Sequence, residues 1–359
     1  MAHHEPGPKA LTTKCQRSVE PMNKPIFIVS SGRSGSTILT WCLGQHPNIL
    51  PQEESNWLGT FAIDAAVGYQ RGSVRGERGQ LSANFIQREE FLALLGQTIN
   101  ELIVSHRRQF ESMNLRRQAG WSTPPFAISR SSQEPKSRWM DGTPEYAFYI
   151  CGLRKLFPQA LFVHLVRDVT DVVRSLLNFF PDGRKRLVAN EQAAYEHWLR
   201  RVNCCVAAEQ AYGPKVVYRM RYSEIVDRPE AGMRPLLDFL GEPYSAQCLE
   251  PLAQRINTSN VPVDFDPGDS ATDPAIVAQA KKLSDELQSS PQQREASPKV
   301  AEKLEAEFNQ QVQYFSDLGR KYSDAEQLIV KLQKECEALK APGRRFEADR
   351  TNAPLTDIG

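Results

Sequence analysis

The feature that most narrows the possible folds is a wholly apolar run, Pro25-Ile-Phe-Ile-Val29. It passes straight into a Gly/Ser-rich loop, Ser30-Ser-Gly-Arg-Ser-Gly-Ser-Thr37, and then into apolar residues at helical spacing, Ile38, Leu39, Cys42 and Leu43. A strand without polar alternation is buried on both faces, as inside a parallel sheet with helices above and below it. The succession recurs: Leu161-Phe-Val-His-Leu-Val166 precedes Val172, Val173, Leu176 and Leu177, and Lys215-Val-Val-Tyr-Arg-Met220 is a third candidate strand. Strand then helix, repeated, predicts an α/β fold: a three-layer sandwich with a central parallel sheet.

The 359 residues are enough for one large domain and an appendage. Residues 1–23 are polar and carry Pro6, Pro8 and Pro21, which predicts a disordered leader. The main domain is expected over residues 24–262. Inside it, residues 57–130 interrupt the rhythm with a helical segment, one face of which carries Phe91, Leu92, Leu95, Ile99, Leu102 and Ile103, followed by an Arg-containing loop. Residues 263–299 turn to Asp, Ser, Pro and Gln, the composition of a polar linker with at most a short helix near Ala275 to Leu287. Residues 300–341 carry two interleaved seven-residue series, Ala301, Phe308, Phe315, Tyr322, Ile329 and Cys336 with Leu304, Gln311, Leu318, Ala325, Leu332 and Leu339. That stripe serves a coiled coil, and hence a homo-oligomer, or a long amphipathic helix lying on the domain. Residues 342–359 read as a disordered tail.

Lysine plus arginine (44) almost balance aspartate plus glutamate (43), so no global field draws the chain to nucleic acid or an anionic membrane, and any anion site must be local. Seven cysteines without repeated spacing point to reduced thiols, with neither a disulfide framework nor a zinc pattern. No apolar run approaches the ~20 residues of a membrane span, and the leader has no secretory apolar core; a cytoplasmic protein is expected.

Between a buried strand and an apolar helix, the Ser30–Thr37 loop can hold a dianionic group on successive backbone N–H groups, with Gly32 and Gly35 permitting close approach. A nucleotide P-loop would end in Gly-Lys-[Ser/Thr]; here that pair is missing and the cation, Arg33, comes earlier. Gly32-Arg-Ser-Gly-Ser-Thr37 resembles the 5′-phosphosulfate loop of sulfotransferases that use 3′-phosphoadenosine 5′-phosphosulfate (PAPS), with Gly32 in place of proline and Ser36 in place of threonine. Leu161–Asp168 followed by Val172-Val-Arg-Ser175 resembles the same family's 3′-phosphate motif, an arginine ending a strand and a serine eight residues later. The resemblance implies cofactor-binding roles for Gly32, Arg33, Ser34, Gly35, Ser36, Thr37, Arg167 and Ser175, with PAPS as co-substrate and no metal required. Val169-Thr170 departs from the family's frequent Pro-Arg, so an auxiliary cation is lost there. Val217–Val226 resembles the family's Arg-Tyr-Glu-Asp-Leu strand, with Tyr222 or Arg221 within reach of the nucleotide.

The resemblance also implies catalytic roles for Arg33 and Glu54. Gln45-His-Pro-Asn-Ile-Leu-Pro-Gln-Glu-Glu-Ser55 is similar to the His-Pro…Glu-Glu segment of the protein-tyrosine branch, where the second glutamate is the general base; Glu53 is the weaker candidate. Trp139-Met-Asp-Gly-Thr-Pro144 resembles a segment that commonly reads Asp-Lys-Thr-Pro, but Gly142 stands in the lysine position, with Arg138 and Arg154 nearby in sequence. His46 and His164 read as structural, and His106-Arg-Arg108 with Arg116-Arg117 as a solvated basic face. The acceptor implied is a small molecule, carbohydrate or peptide, its pocket built from residues 57–130. Two other readings stand beside this one: a PAPS-fold scaffold acting through its heptad helix, and a P-loop small-molecule kinase.

Overall fold

In the computed structural model, residues 24–73, 79–109, 136–180, 186–253, 268–292 and 295–340 are described. The leader, the 342–359 tail, Arg116 and Arg117 lie outside them. Five strands, β1 (Ile26–Val29), β2 (Ile49–Pro51), β3 (Arg138–Asp141), β4 (Leu161–Val166) and β5 (Val217–Arg221), form one sheet in the order β2-β3-β1-β4-β5. Each neighbouring pair is parallel, and β1 is central. The helices are α1 (Ser36–Gly44), α2 (Trp57–Ser73), α3 (Gln80–Ala83), α4 (Arg88–Ser105), α5 (Ile150–Leu156), α6 (Val169–Leu177), α7 (Glu191–Tyr212), α8 (Tyr222–Val226), α9 (Pro229–Leu240), α10 (Pro274–Ser289) and α11 (Pro298–Lys340). None of them is long and apolar enough to cross a membrane.

The absence of polar alternation in β1 has a direct structural meaning. Phe27 and Val29 enter a cluster with residues of α2, α5, α7 and α11, whereas Ile26 and Ile28 enter another with residues of α1 and α9. Side chains alternate across a strand, so a strand covered on both sides must be apolar at every position. β4 divides in the same way, Phe162 to one cluster and Leu161, Val163 and Leu165 to the other. The α/β three-layer expectation is met.

Two histidines are structural. His164 Nδ1 lies 2.5 Å from Glu209 Oε1 within a buried group completed by Arg219, and His46 Nε2 lies 2.9 Å from the Pro243 carbonyl. Burial pushes the Glu209 carboxyl up, but His164 and Arg219 outweigh it and hold the group below the ordinary range.

Other stretches depart from the sequence pattern. On α4, Leu92, Gly96 and Asn100 are buried, but Leu102 is 54% exposed and lies off the packed face. In the 263–299 stretch the helix expected near Ala275 to Leu287 is α10, and beyond the expectation it is docked, its Ala280 and Leu287 entering a cluster with α6 and α7. Ser284 Oγ accepts from the Val169 N–H at 3.2 Å. Small residues and isolated leucines suffice for burial where the partner surface is already formed, so a polar composition conceals a docked helix. The inner part of α11 lies on the domain as an amphipathic helix would, with Phe308 and Val312 buried, whereas every residue from Arg320 to Leu339 is exposed.

Candidate active site

The Ser30–Thr37 loop leaves β1 through two left-handed residues, Arg33 at φ 70° and Gly35 at φ 103°. Gly35 is the N-cap of α1 and supplies no side-chain cap, so the N–H groups of the first turn are left for another acceptor. A Cβ on Gly35 would fall 2.5 Å from Tyr222 Cε2, so close packing and backbone conformation both demand glycine. Ser31, Ser34 and Ser36 are buried and Thr37 is exposed.

Arg167 follows β4, and Asp168 caps α6 by accepting from the N–H groups of Thr170 and Asp171 at 2.9 and 3.2 Å. Because β1 and β4 are neighbours in the sheet, their carboxyl ends lie side by side. Arg33 Nε donates to Ser175 Oγ at 3.1 Å, its guanidinium 4.2 Å over the Phe179 ring. Arg167 Nη1 donates to the Arg33 carbonyl at 3.3 Å and its guanidinium stands 4.6 Å over Tyr222. Arg167 Nε is buried with no hydrogen-bond partner among the described residues. The two motifs, far apart in sequence, meet in one crevice at the carboxyl edge of the sheet, where open α/β sheets bind ligands. Burial lowers the Arg33 pKa, Arg167 adds to that, and Glu54 opposes it.

Glu54 stands at a cavity of about 340 Å³ bordered also by Glu53, Trp57, Leu58, Ile103 and Asp141. The residue is solvent-exposed at the mouth, yet enough protein surrounds its carboxyl that desolvation raises its pKa; Glu145 and Asp141 raise it further and Arg33 pulls it back. The turn carrying Glu54 is clasped by the segment after β3. Thr143 Oγ1 donates to Asp141 Oδ1 at 2.6 Å and accepts from the Ser55 N–H at 2.8 Å. The Tyr146 hydroxyl lies 2.5 Å from the Ser55 carbonyl and 3.0 Å from Asp141 Oδ2. A Cβ on Gly142 would meet Thr40 Oγ1 at 2.5 Å, so a side chain at this position requires that hydroxyl to turn away.

Residues 25–246, more than half of the chain, match the sulfotransferase family. The chain belongs to that family. Among solved structures, the sulfotransferase domain of the Synechococcus PCC 7002 olefin synthase is 18% identical, with 83% of this chain and 96% of that one covered and a TM-score of 0.39. The sulfotransferase domain of the curacin biosynthetic pathway is 18% identical over 80% of this chain and 98% of that one, TM-score 0.38. A sulfotransferase from Alicyclobacillus acidocaldarius is 15% identical over 74% and 92%, TM-score 0.37. Among curated proteins none matches.

A residue beyond the recognised motifs also lies beside the loop. His197 of α7 is 7% exposed, its Nε2 has no hydrogen-bond partner among the described residues, and a Cβ on Gly32 would lie 3.5 Å from that nitrogen. One turn on, Arg201 is held by Glu145 at 3.4 Å and stands 4.9 Å from the Phe148 ring centre. Phe179 closes the group beyond Ser175. The only sequence signal for His197 and Arg201 is their spacing of four on a helix, which does not say what the shared face meets. The other cations are engaged elsewhere: Arg138 with Glu242 at 3.1 Å, Arg154 over Tyr212 at 4.6 Å, and Arg221 with the Leu287 and Ser290 carbonyls at 3.2 and 2.8 Å. Tyr222, and not Arg221, borders the loop.

Proposed function

We propose that this sulfotransferase moves the sulfuryl group of PAPS to a hydroxyl or amine of an acceptor seated beside Glu54, releasing adenosine 3′,5′-bisphosphate. The observation that carries the reading is the convergence of Arg33, Arg167 and Ser175, three groups suited to phosphate oxygens, beside a helix N-terminus without a cap. The donor set fits the co-substrate: the first-turn amides of α1 with Ser34, Ser36 and Thr37 would hold the 5′ end, and Arg167 with Ser175 the 3′-phosphate. PAPS supplies an activated sulfuryl group whose S–O bond to phosphate breaks as the acceptor oxygen or nitrogen bonds to sulfur.

Glu54 takes the acceptor's proton, and its raised pKa makes it a stronger base than a free carboxylate. Arg33 stabilises the charge that appears on the departing phosphate oxygen, which requires its guanidinium to leave Ser175 and turn toward the loop that its own backbone belongs to. Gly142 carries no cation, so the positive field comes from Arg33, with Arg201 held on Glu145. Trp57, Leu58 and Ile103 give the cavity an apolar wall, which favours an acceptor with an apolar body and one hydroxyl or amine. The catalytic domain is taken as residues 24–262 and the compartment as cytoplasmic; the free thiols of Cys42, Cys151, Cys204, Cys205, Cys248 and Cys336 support the latter.

Calorimetry with adenosine 3′,5′-bisphosphate tests the proposal. Binding without magnesium, weakened at least tenfold in Arg167→Ala, supports it, and product release can then be screened over phenols, alcohols and amines. No uptake by the wild-type chain, or preferred magnesium-dependent uptake of ATP, overturns it.

A further inference from the structure

The heptad stripe of α11 has two fates. Phe308 and Val312 are spent on the chain's own core, and ion pairs from Arg88 and Lys155 to Glu305, both at 2.7 Å, fasten that part of the helix to α4 and α5. Past Arg320 none of the described residues covers the helix, yet the stripe continues. Tyr322, Ala325, Ile329, Leu332, Cys336 and Leu339 follow one another at steps of three and four, all exposed; Tyr322 is 66%, Ile329 54%, Leu332 50% and Leu339 80% open to solvent. Six aligned seam positions on one side of a projecting helix are a surface without its cover.

We propose that this surface binds the same segment of a second copy of this chain, as a parallel, in-register, two-stranded coiled coil over residues 321–339. Parallelism and strand number follow from the seam chemistry. With Tyr322, Ile329 and Cys336 at the a positions, Ala325, Leu332 and Leu339 fall at d. A β-branched residue at a with leucines at d favours two parallel strands. Small Ala325 leaves room beside the layer of two Tyr322 rings. Charge agrees with the register: Lys321 at g faces Glu326 at the following e of the second copy, and the two-fold axis makes this contact twice. The oligomer expected from residues 300–341 is thereby confined to the outer part, because Phe308 and Val312 are already buried within one chain.

A parallel coil also brings Cys336, exposed and unbonded in one chain, face to face with Cys336 of the second copy; an antiparallel coil would set it against Ala325. Oxidation by diamide, which accepts the two electrons and two protons given up by the thiols, then joins the chains through one disulfide. Light scattering on the full chain should give twice the chain mass. Ile329→Glu with Leu332→Glu, both at exposed positions, should return it to once the chain mass with unchanged bisphosphate binding. Diamide should yield a covalent dimer in the wild type and none in Cys336→Ser, which should remain a dimer by mass. A wild-type monomer at 100 µM (roughly the range where such short coils associate), or a double-Glu variant that stays dimeric, overturns the proposal. A dimer that never cross-links at Cys336 overturns the parallel register.

Discussion

Arg33 combines a left-handed backbone with a side chain turned to Ser175, so its conformational cost and its function can be separated. Arg33→Ala and Arg33→Gly should both weaken bisphosphate binding at least tenfold, since each removes a charge-assisted contact. Arg33→Gly should nevertheless be more stable than Arg33→Ala by ~1 kcal/mol, the cost of placing a Cβ in the left-handed region. Equal denaturant midpoints would show that the loop relaxes in the variants. His197 offers a second test. Burial, then Arg201 and Arg200, push its pKa down to about 4, so it is neutral at pH 7. The unfolded chain takes up this proton near pH ~6.5, so the contribution to stability is complete above that pH and is lost as the pH falls toward the folded value. Thermal denaturation between these limits should therefore fall less steeply for His197→Gln than for the wild type, and parallel curves would assign the proton uptake to another group.

At the level of elements, the segment after β3 acts as a clasp on the Glu54 turn. Thr143→Val removes the hydrogen bonds of its hydroxyl, to Asp141 and to the Ser55 carbonyl and from the Ser55 N–H. It should lower kcat by about tenfold or more through misplacement of Glu54, with bisphosphate Kd nearly unchanged. A matching change in Kd would mean that the clasp supports the phosphate loop as well. With Glu54 as the proposed base, its ionised form sets the pH dependence, and burial with Glu145 and Asp141 raises its pKa. The rate should climb with pH along a limb displaced upward from the ordinary glutamate value of about 4.3, and Glu54→Gln should remove that limb with a loss of ~10²–10⁴ in kcat. Retained turnover in Glu54→Gln would move the base elsewhere.

For the whole molecule, α10 and α11 add to the packed clusters past the end of the family match at residue 246. Phe308 is 5% exposed in the cluster that also holds β1 and α2. Phe308→Ala should cost about 3 kcal/mol or more in unfolding free energy, measured by denaturant titration, by opening a cavity under the sheet helices. An effect below 1 kcal/mol (roughly that of a surface site) would mean that the inner half of α11 is not part of the fold's core.

Strand patterning and loop chemistry determined much of this protein. An unbroken apolar run can be satisfied only between two layers, so the parallel sheet was legible from local residues, whereas Arg33, Arg167 and Ser175 were singled out by their resemblance to family motifs. Tertiary structure decided what depends on distant partners. It set Arg33 on Ser175 by making β1 and β4 neighbours, brought His197 of the buried face of α7 beside Gly32, and laid the Thr40 hydroxyl against Gly142. It also turned a polar stretch into the docked helix α10 and divided the heptads of α11 between core and solvent. The division has one cause. Burial on both faces and backbone conformation are written in neighbouring residues, whereas a side chain's partner is whatever the folded chain brings within a few ångströms of it.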